Sequence, residues 1–91
     1  MLASTASYRL EPEVRVPNVE VFRTNIRSAR HATVVIGFVQ TYFPGLRATV
    51  DLQDRDKVLR VEDRRQAEPV PGEAIRRLVN GLGFEIEVME E

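Results

Sequence analysis

This sequence predicts an α+β sandwich, two helices on one face of a four-stranded antiparallel sheet. Three observations carry that prediction. After residue 18, segments of regular hydrophobic period follow one another in the order strand, helix, strand, strand, helix, strand. The two middle strands are separated by the short polar run "QDRDK", so they form a hairpin. Each helical segment links strands in a crossover, and right-handed crossovers put both helices on the same face of the sheet.

The elements are justified in order. "MLASTASYRLEPEVRVPN" (residues 1–18) has neither the strand nor the helix period, and its small residues with Pro12 and Pro17 predict a flexible N-terminal arm. Tyr8, Leu10, Val14 and Val16 give that arm the means to order on a partner. "VEVFRTNI" (Val19 to Ile26) is rich in β-formers and reads as the first strand. Ser28 is a good N-cap, because its hydroxyl can accept from the free amides of a first helical turn. Ala32, Val35, Ile36, Val39 and Phe43 then recur at helical spacing as a core face, Val34 and Phe38 widen the apolar surface, and Pro44-Gly45 stops the helix.

"LRATVDL" alternates strictly, pointing Leu46, Ala48, Val50 and Leu52 one way, and "VLRVE" points Leu59 and Val61 inward. "DRRQAEPVPG" is a polar loop. "EAIRRLVNGLG" lines up Ile75, Leu78, Val79 and Leu82, with Gly81 or Gly83 as the stop. "FEIEVME" alternates again, with Phe84, Ile86 and Val88 expected inside and Glu85 and Glu87 outside. The whole is the split βαβ, ferredoxin-like order, a single domain over residues 19–91. Its edge strands are "LRATVDL" and "FEIEV".

Composition narrows the function. The chain has 91 residues, 43% hydrophobic and 30% charged, with no cysteine and a net charge of −1. That is the make-up of a globular domain with neither disulfides nor thiolate metal sites. Both signs of charge are interspersed, so no electrostatic footprint for nucleic acid or an anionic membrane is present. The longest uncharged run, Ala32 to Leu46, falls short of the roughly 20 apolar residues a spanning helix needs. With no apolar signal segment at the N-terminus, the expected location is cytoplasmic.

The residues able to do chemistry gather between the first strand and the first helix, in Ile26-Arg27-Ser28-Ala29-Arg30-His31. On this run and on its element order, the chain resembles the heavy-metal-associated (HMA) domain family, whose loop at this place reads Met-Thr-Cys-x-x-Cys. The resemblance covers Val19 to Glu91. It puts Ile26 in the place of the methionine as a core plug, and Ser28 and His31 in the places of the two cysteines. Those two are therefore the candidate metal positions. Arg23 departs from the pattern, since the family usually has an apolar residue there. The hairpin "DLQDRDKVLRVE" is similar to one in small bacterial proteins with an HMA-like fold, relatives that often carry a cysteine where this chain has Arg55.

Ligand chemistry argues against a working metal site. A serine hydroxyl stays protonated near neutral pH, and one imidazole does not hold a metal ion without further ligands. No metal ligand and no cofactor are assigned, and Ser28 reads as a helix cap. Asp51, Asp54, Asp56 and Glu62 fail as a calcium loop, because the third, fifth and sixth places hold Gln53, Arg55 and Asp56. A catalytic Ser-His group would have to use Ser28 and His31, with no nucleophile elbow or phosphate loop to support it. RNA recognition on such a sheet needs exposed aromatics on the central strands. "VLRVE" has none, and Phe22 shares the inward parity of Ile26.

The expected function is thus a non-enzymatic HMA-like domain that has lost its soft-metal ligands. It would act through contact with an unknown protein partner or as a homo-oligomer, not through nucleic acid or membrane. Strand addition at the sheet edges is one route. Two alternatives remain: a metal-binding or metal-transfer protein using His31 with other ligands, and a small-molecule-sensing regulatory domain.

Overall fold

The computed structural model describes residues 18–89. The arm expected over residues 1–18 lies outside the described residues, apart from Asn18. Six elements follow: β1 (Val19–Thr24), α1 (Ala29–Tyr42), β2 (Leu46–Asp51), β3 (Val58–Asp63), α2 (Gly72–Gly81) and β4 (Ile86–Val88). The sheet order is β2-β3-β1-β4, with every neighbouring pair antiparallel. This is the ferredoxin-like βαββαβ sandwich, with β2 and β4 at the edges as the sequence predicts.

One core fills the space between sheet and helices. Phe22, Ile26, Leu59, Ile75, Val35, Val39, Val61 and Val79 are its largest fully buried side chains. Each such side chain contributes about 1.5–3 kcal/mol through apolar surface removed from water. Strand alternation supplies the inward faces of β2 and β3, and the i, i+3/i+4 spacing of Ala32, Val35 and Val39 supplies that of α1. The Ser28 hydroxyl accepts from the His31 amide at 3.1 Å, the expected cap, worth about 1 kcal/mol. Gly45 (φ +98°) and Gly83 (φ +103°) turn the chain after α1 and α2 in the left-handed region, which settles Gly83 rather than Gly81 as the second stop.

Four expectations are corrected. The first strand ends at Thr24, not Ile26, because the Thr24 hydroxyl accepts from the Ile26 amide at 3.1 Å and bends the chain out of the ladder. Phe43 is the C-cap residue of α1 and is only half-buried, packing from beyond the helix end. The last strand is three residues long, so Phe84 packs on the core from the loop before it. Val88 is exposed, at 41%. Its parity is as predicted, but it lies at the end of an edge strand opposite Phe22, and the part of α2 above Phe22 is Gly72, which has no side chain to cover it.

Candidate functional site

Three surfaces of the domain hold the groups with chemical potential. The first is the start of α1. Ile26 is fully buried beneath it. The hydrogen bond between Ser28 and His31 runs to the histidine's backbone amide and not to its ring. The exposed imidazole instead packs edge-on against Phe84, with ring centroids 5.3 Å apart. Phe84 is placed there by the end of α2, where Asn80 Nδ2 donates to the Phe84 carbonyl at 2.7 Å. Among the described residues, no group of three or more His, Asp or Glu side chains is placed to hold a metal ion.

The second surface adjoins the first at the tip of the β2–β3 hairpin. Its acids are spent on the turn. Asp51 Oδ1 accepts from the amides of Gln53 (3.0 Å) and Asp54 (3.3 Å), Asp54 Oδ1 accepts from the Asp56 amide (2.8 Å), and Asp56 pairs with Arg23 at 3.6 Å. Lys57 takes a left-handed backbone (φ 49°) and caps the turn, its Nζ donating to the Leu52 carbonyl at 2.9 Å. Thr24, buried at the end of β1, donates its hydroxyl proton to the Lys57 carbonyl at 2.6 Å and so locks hairpin to loop. Asn25 locks the same loop to the start of β4, accepting from the Glu85 amide through Oδ1 at 2.9 Å. Between these parts lies a recess of about 490 Å³ lined by Thr24, Asn25, Arg27, Arg55 and Lys57.

The third surface is the outer side of α1. Val34, Phe38 and Tyr42 are 42%, 39% and 62% exposed, and Phe38 and Tyr42 stack at 6.1 Å. With Thr33, Gly37 and Thr41 they line a shallow groove of about 330 Å³. The open face of the sheet is different in kind. Its outward residues include Arg23, Arg47, Arg60, Glu62 and Glu87, paired as Arg23–Glu87 (3.5 Å) and Arg60–Glu62 (3.0 Å), with no aromatic among the described residues of that face. Phe22 is fully buried on the other side, as its parity predicts.

One carboxylate has a shifted proton affinity. Asp63, buried at the end of β3, is held below the usual carboxylate range. The cause is the Glu68 amide first, then the Ala67 amide, each donating to Oδ2 at 2.8 Å; burial opposes this, and Arg65 adds its amide and its charge. It organises the loop before α2 and takes no part in the three surfaces above.

Sequence reasoning located Ser28 and His31 and saw the apolar excess of Val34 and Phe38. It missed Tyr42 as the third member of that row, and it missed the recess. The available signal for the recess was that Arg27, in the loop after the first strand, and Arg55, in the hairpin turn, are both cations. Among the described residues, no helix is long and apolar enough to cross a membrane. In comparisons with known proteins, no family model, no curated protein and no solved structure matches this chain.

Proposed function

We propose that this domain is a non-enzymatic, HMA-like frame without soft-metal ligands, and that it works by self-association through the outer side of α1. The carrying observation is the pair of rows on that helix. Val34, Phe38 and Tyr42 make a large apolar ridge at i, i+4 spacing, and Thr33, Gly37 and Thr41 make a parallel row of small residues beside it. A Cβ built on Gly37 would meet nothing within 4 Å, so the small row is an open groove. A ridge and a groove side by side on one helix are self-complementary. A second copy related by a two-fold axis sets its ridge into this groove, in the i±4 packing class that crosses at about −50°.

The sheet edges are poorer candidates than this face. The Ala48 amide on β2 is occupied by Gln40 Oε1 at 3.0 Å, a side chain from α1 that covers the edge. The other edge, β4, offers three residues, with Glu87 in the middle and Glu85 just before them. Short and charged edges resist strand addition.

Sedimentation at roughly 0.5 mM protein tests the reading, since an interface built on one short helix face belongs to the weak class. The parent should sediment as a monomer–dimer equilibrium and Phe38→Glu as a monomer. Gly37→Leu should also be monomeric because it fills the groove, yet melt at a higher temperature, since leucine is the better helix former by about 0.8 kcal/mol. A parent that stays monomeric, or a Gly37→Leu variant that dimerises like the parent, would sink the proposal.

A further inference from the structure

We infer that the recess between the β1–α1 loop and the hairpin tip is a binding site for a small phosphate monoester, which Arg27, Arg55 and Lys57 hold. This goes beyond the proposed self-association and rests on a different part of the surface.

The argument is one of charge left over after local needs are met. The hairpin carries three aspartates, and each is engaged: Asp51 and Asp54 by turn amides, Asp56 by Arg23. None lines the recess. Arg27 and Arg55 have no ion-pair partner among the described residues, and Lys57 has spent one of its ammonium protons on the Leu52 carbonyl. Three cationic residues therefore line one cavity of about 490 Å³ with no carboxylate residue in its lining. Left empty of counter-charge, such an arrangement is repulsive. A dianion relieves it, and guanidinium forks recognise phosphate oxygens by paired, charge-assisted hydrogen bonds.

The frame of the recess is fixed before any ligand arrives. Thr24 ties the loop to the hairpin through the Lys57 carbonyl, and its hydroxyl also accepts from the Ile26 amide. Asn25 must present Oδ1 to the Glu85 amide, so its Nδ2 end remains as a further donor at the lining, without a partner among the described residues. A preorganised site of this kind avoids much of the ordering cost of binding.

The chemistry also selects against a nucleic acid strand. The neighbouring sheet face has no aromatic platform among its described residues, and two of its cations, Arg23 and Arg60, are already paired with acids, which leaves Arg47 alone there. Strand binding needs a basic track with stacking residues, whereas this is one isolated pocket. The monoester can be a free metabolite or a lipid headgroup, and the two share the same dianionic end.

Amide chemical-shift titration of the full chain tests the site, with glycerol phosphate as the soluble probe. Vesicles containing phosphatidic acid, compared with neutral vesicles in co-sedimentation, probe the lipid source. Saturable shifts confined to Asn25, Arg27, Arg55, Lys57 and their neighbours support the proposal. So does selective sedimentation with phosphatidic acid, which would assign the lipid source. Arg27→Gln with Arg55→Gln should weaken either response by about tenfold or more, as expected for lost charge-assisted bonds. Arg47→Gln, on the open sheet face, should leave it unchanged. The inference is overturned by absence of both responses, by shifts spread evenly over the arginines, or by a double variant that is folded in its amide spectrum and binds like the parent. None of these outcomes depends on the oligomeric state.

Discussion

Two ends of the sheet make an instructive comparison. Thr24 closes β1 at one end and Asp63 closes β3 at the other, and they are the two buried polar residues among the described ones. Each sits on the core-facing parity of its strand, and each uses its side chain to shape the loop that follows. Each end also has one non-glycine residue in the left-handed region, Lys57 (φ 49°) beside Thr24 and Gln66 (φ 53°) beside Asp63. The difference is in charge. Thr24 is neutral and bridges two chain segments, leaving the nearby cations to face outward. Asp63 is an anion consumed by two amides of its own loop, while Asn18 ties in the chain entry by accepting from the Asp63 amide at 2.9 Å and donating to the Glu68 carbonyl at 3.1 Å. The same fold position thus builds a pocket at one end and a closed loop at the other.

The largest expected effect tests whether the ends differ in apolar closure. Ile26→Ala, at the Thr24 end, should cost about 2–5 kcal/mol, because Ile26 is fully buried and a cavity adds to the lost transfer energy. Val70→Ala, at the Asp63 end, removes two methyl carbons and should cost about 1.5 kcal/mol. Denaturant titration of both variants decides it, and equal costs would erase this part of the contrast.

Next comes the polar anchor itself. Thr24→Val keeps the shape but leaves the Ile26 amide and the Lys57 carbonyl unpaired, at about 1–3 kcal/mol, independent of pH between 3 and 8. Asp63→Asn should instead destabilise in a pH-dependent way. Its folded-state pKa lies below the ordinary value, so its contribution is fully present above about pH 4, the unfolded range, and is lost as pH falls through the lowered folded value. Melting curves of parent and variant should separate at neutral pH and converge in acid. A constant gap would show that the carboxylate's charge is not what holds the loop.

The smallest effect concerns the two left-handed residues. Gln66→Gly should stabilise by about 0.5 kcal/mol, the steric relief slightly exceeding the entropy glycine adds to the unfolded chain. Lys57→Gly should gain less or lose, since it also gives up the ammonium bond to Leu52. If both glycine variants shift the melting temperature alike, Lys57 has no structural duty at its turn.

The fold was legible because its signals are periodic. Two-residue alternation in β2 and β3 and the helical spacing of Ala32, Val35 and Val39 each repeat often enough to identify the element and its inward face. The ends of elements were less legible, and the reason is specific. Thr24 terminates β1 through its own hydroxyl, a bond that no hydrophobic pattern encodes. Val70 and Asp63 looked like members of a polar loop, and only the three-dimensional fold turns them inward. Ser28 could be read as a cap because capping is local. The recess could not, because Arg27 and Arg55 are 28 positions apart in sequence and meet through the β1–β3 pairing.

The position of β1 inside the sheet also has a consequence for the chain during its synthesis. Its two partners are β3 and β4, and β4 is the last element made. Once β3 has paired, one side of β1 stays bare until the 25 residues from Arg64 to Val88 have also left the ribosome and β4 has docked. The nascent domain therefore passes through a stage in which a central strand behaves as an unprotected edge, and it is the three residues of β4 that end it.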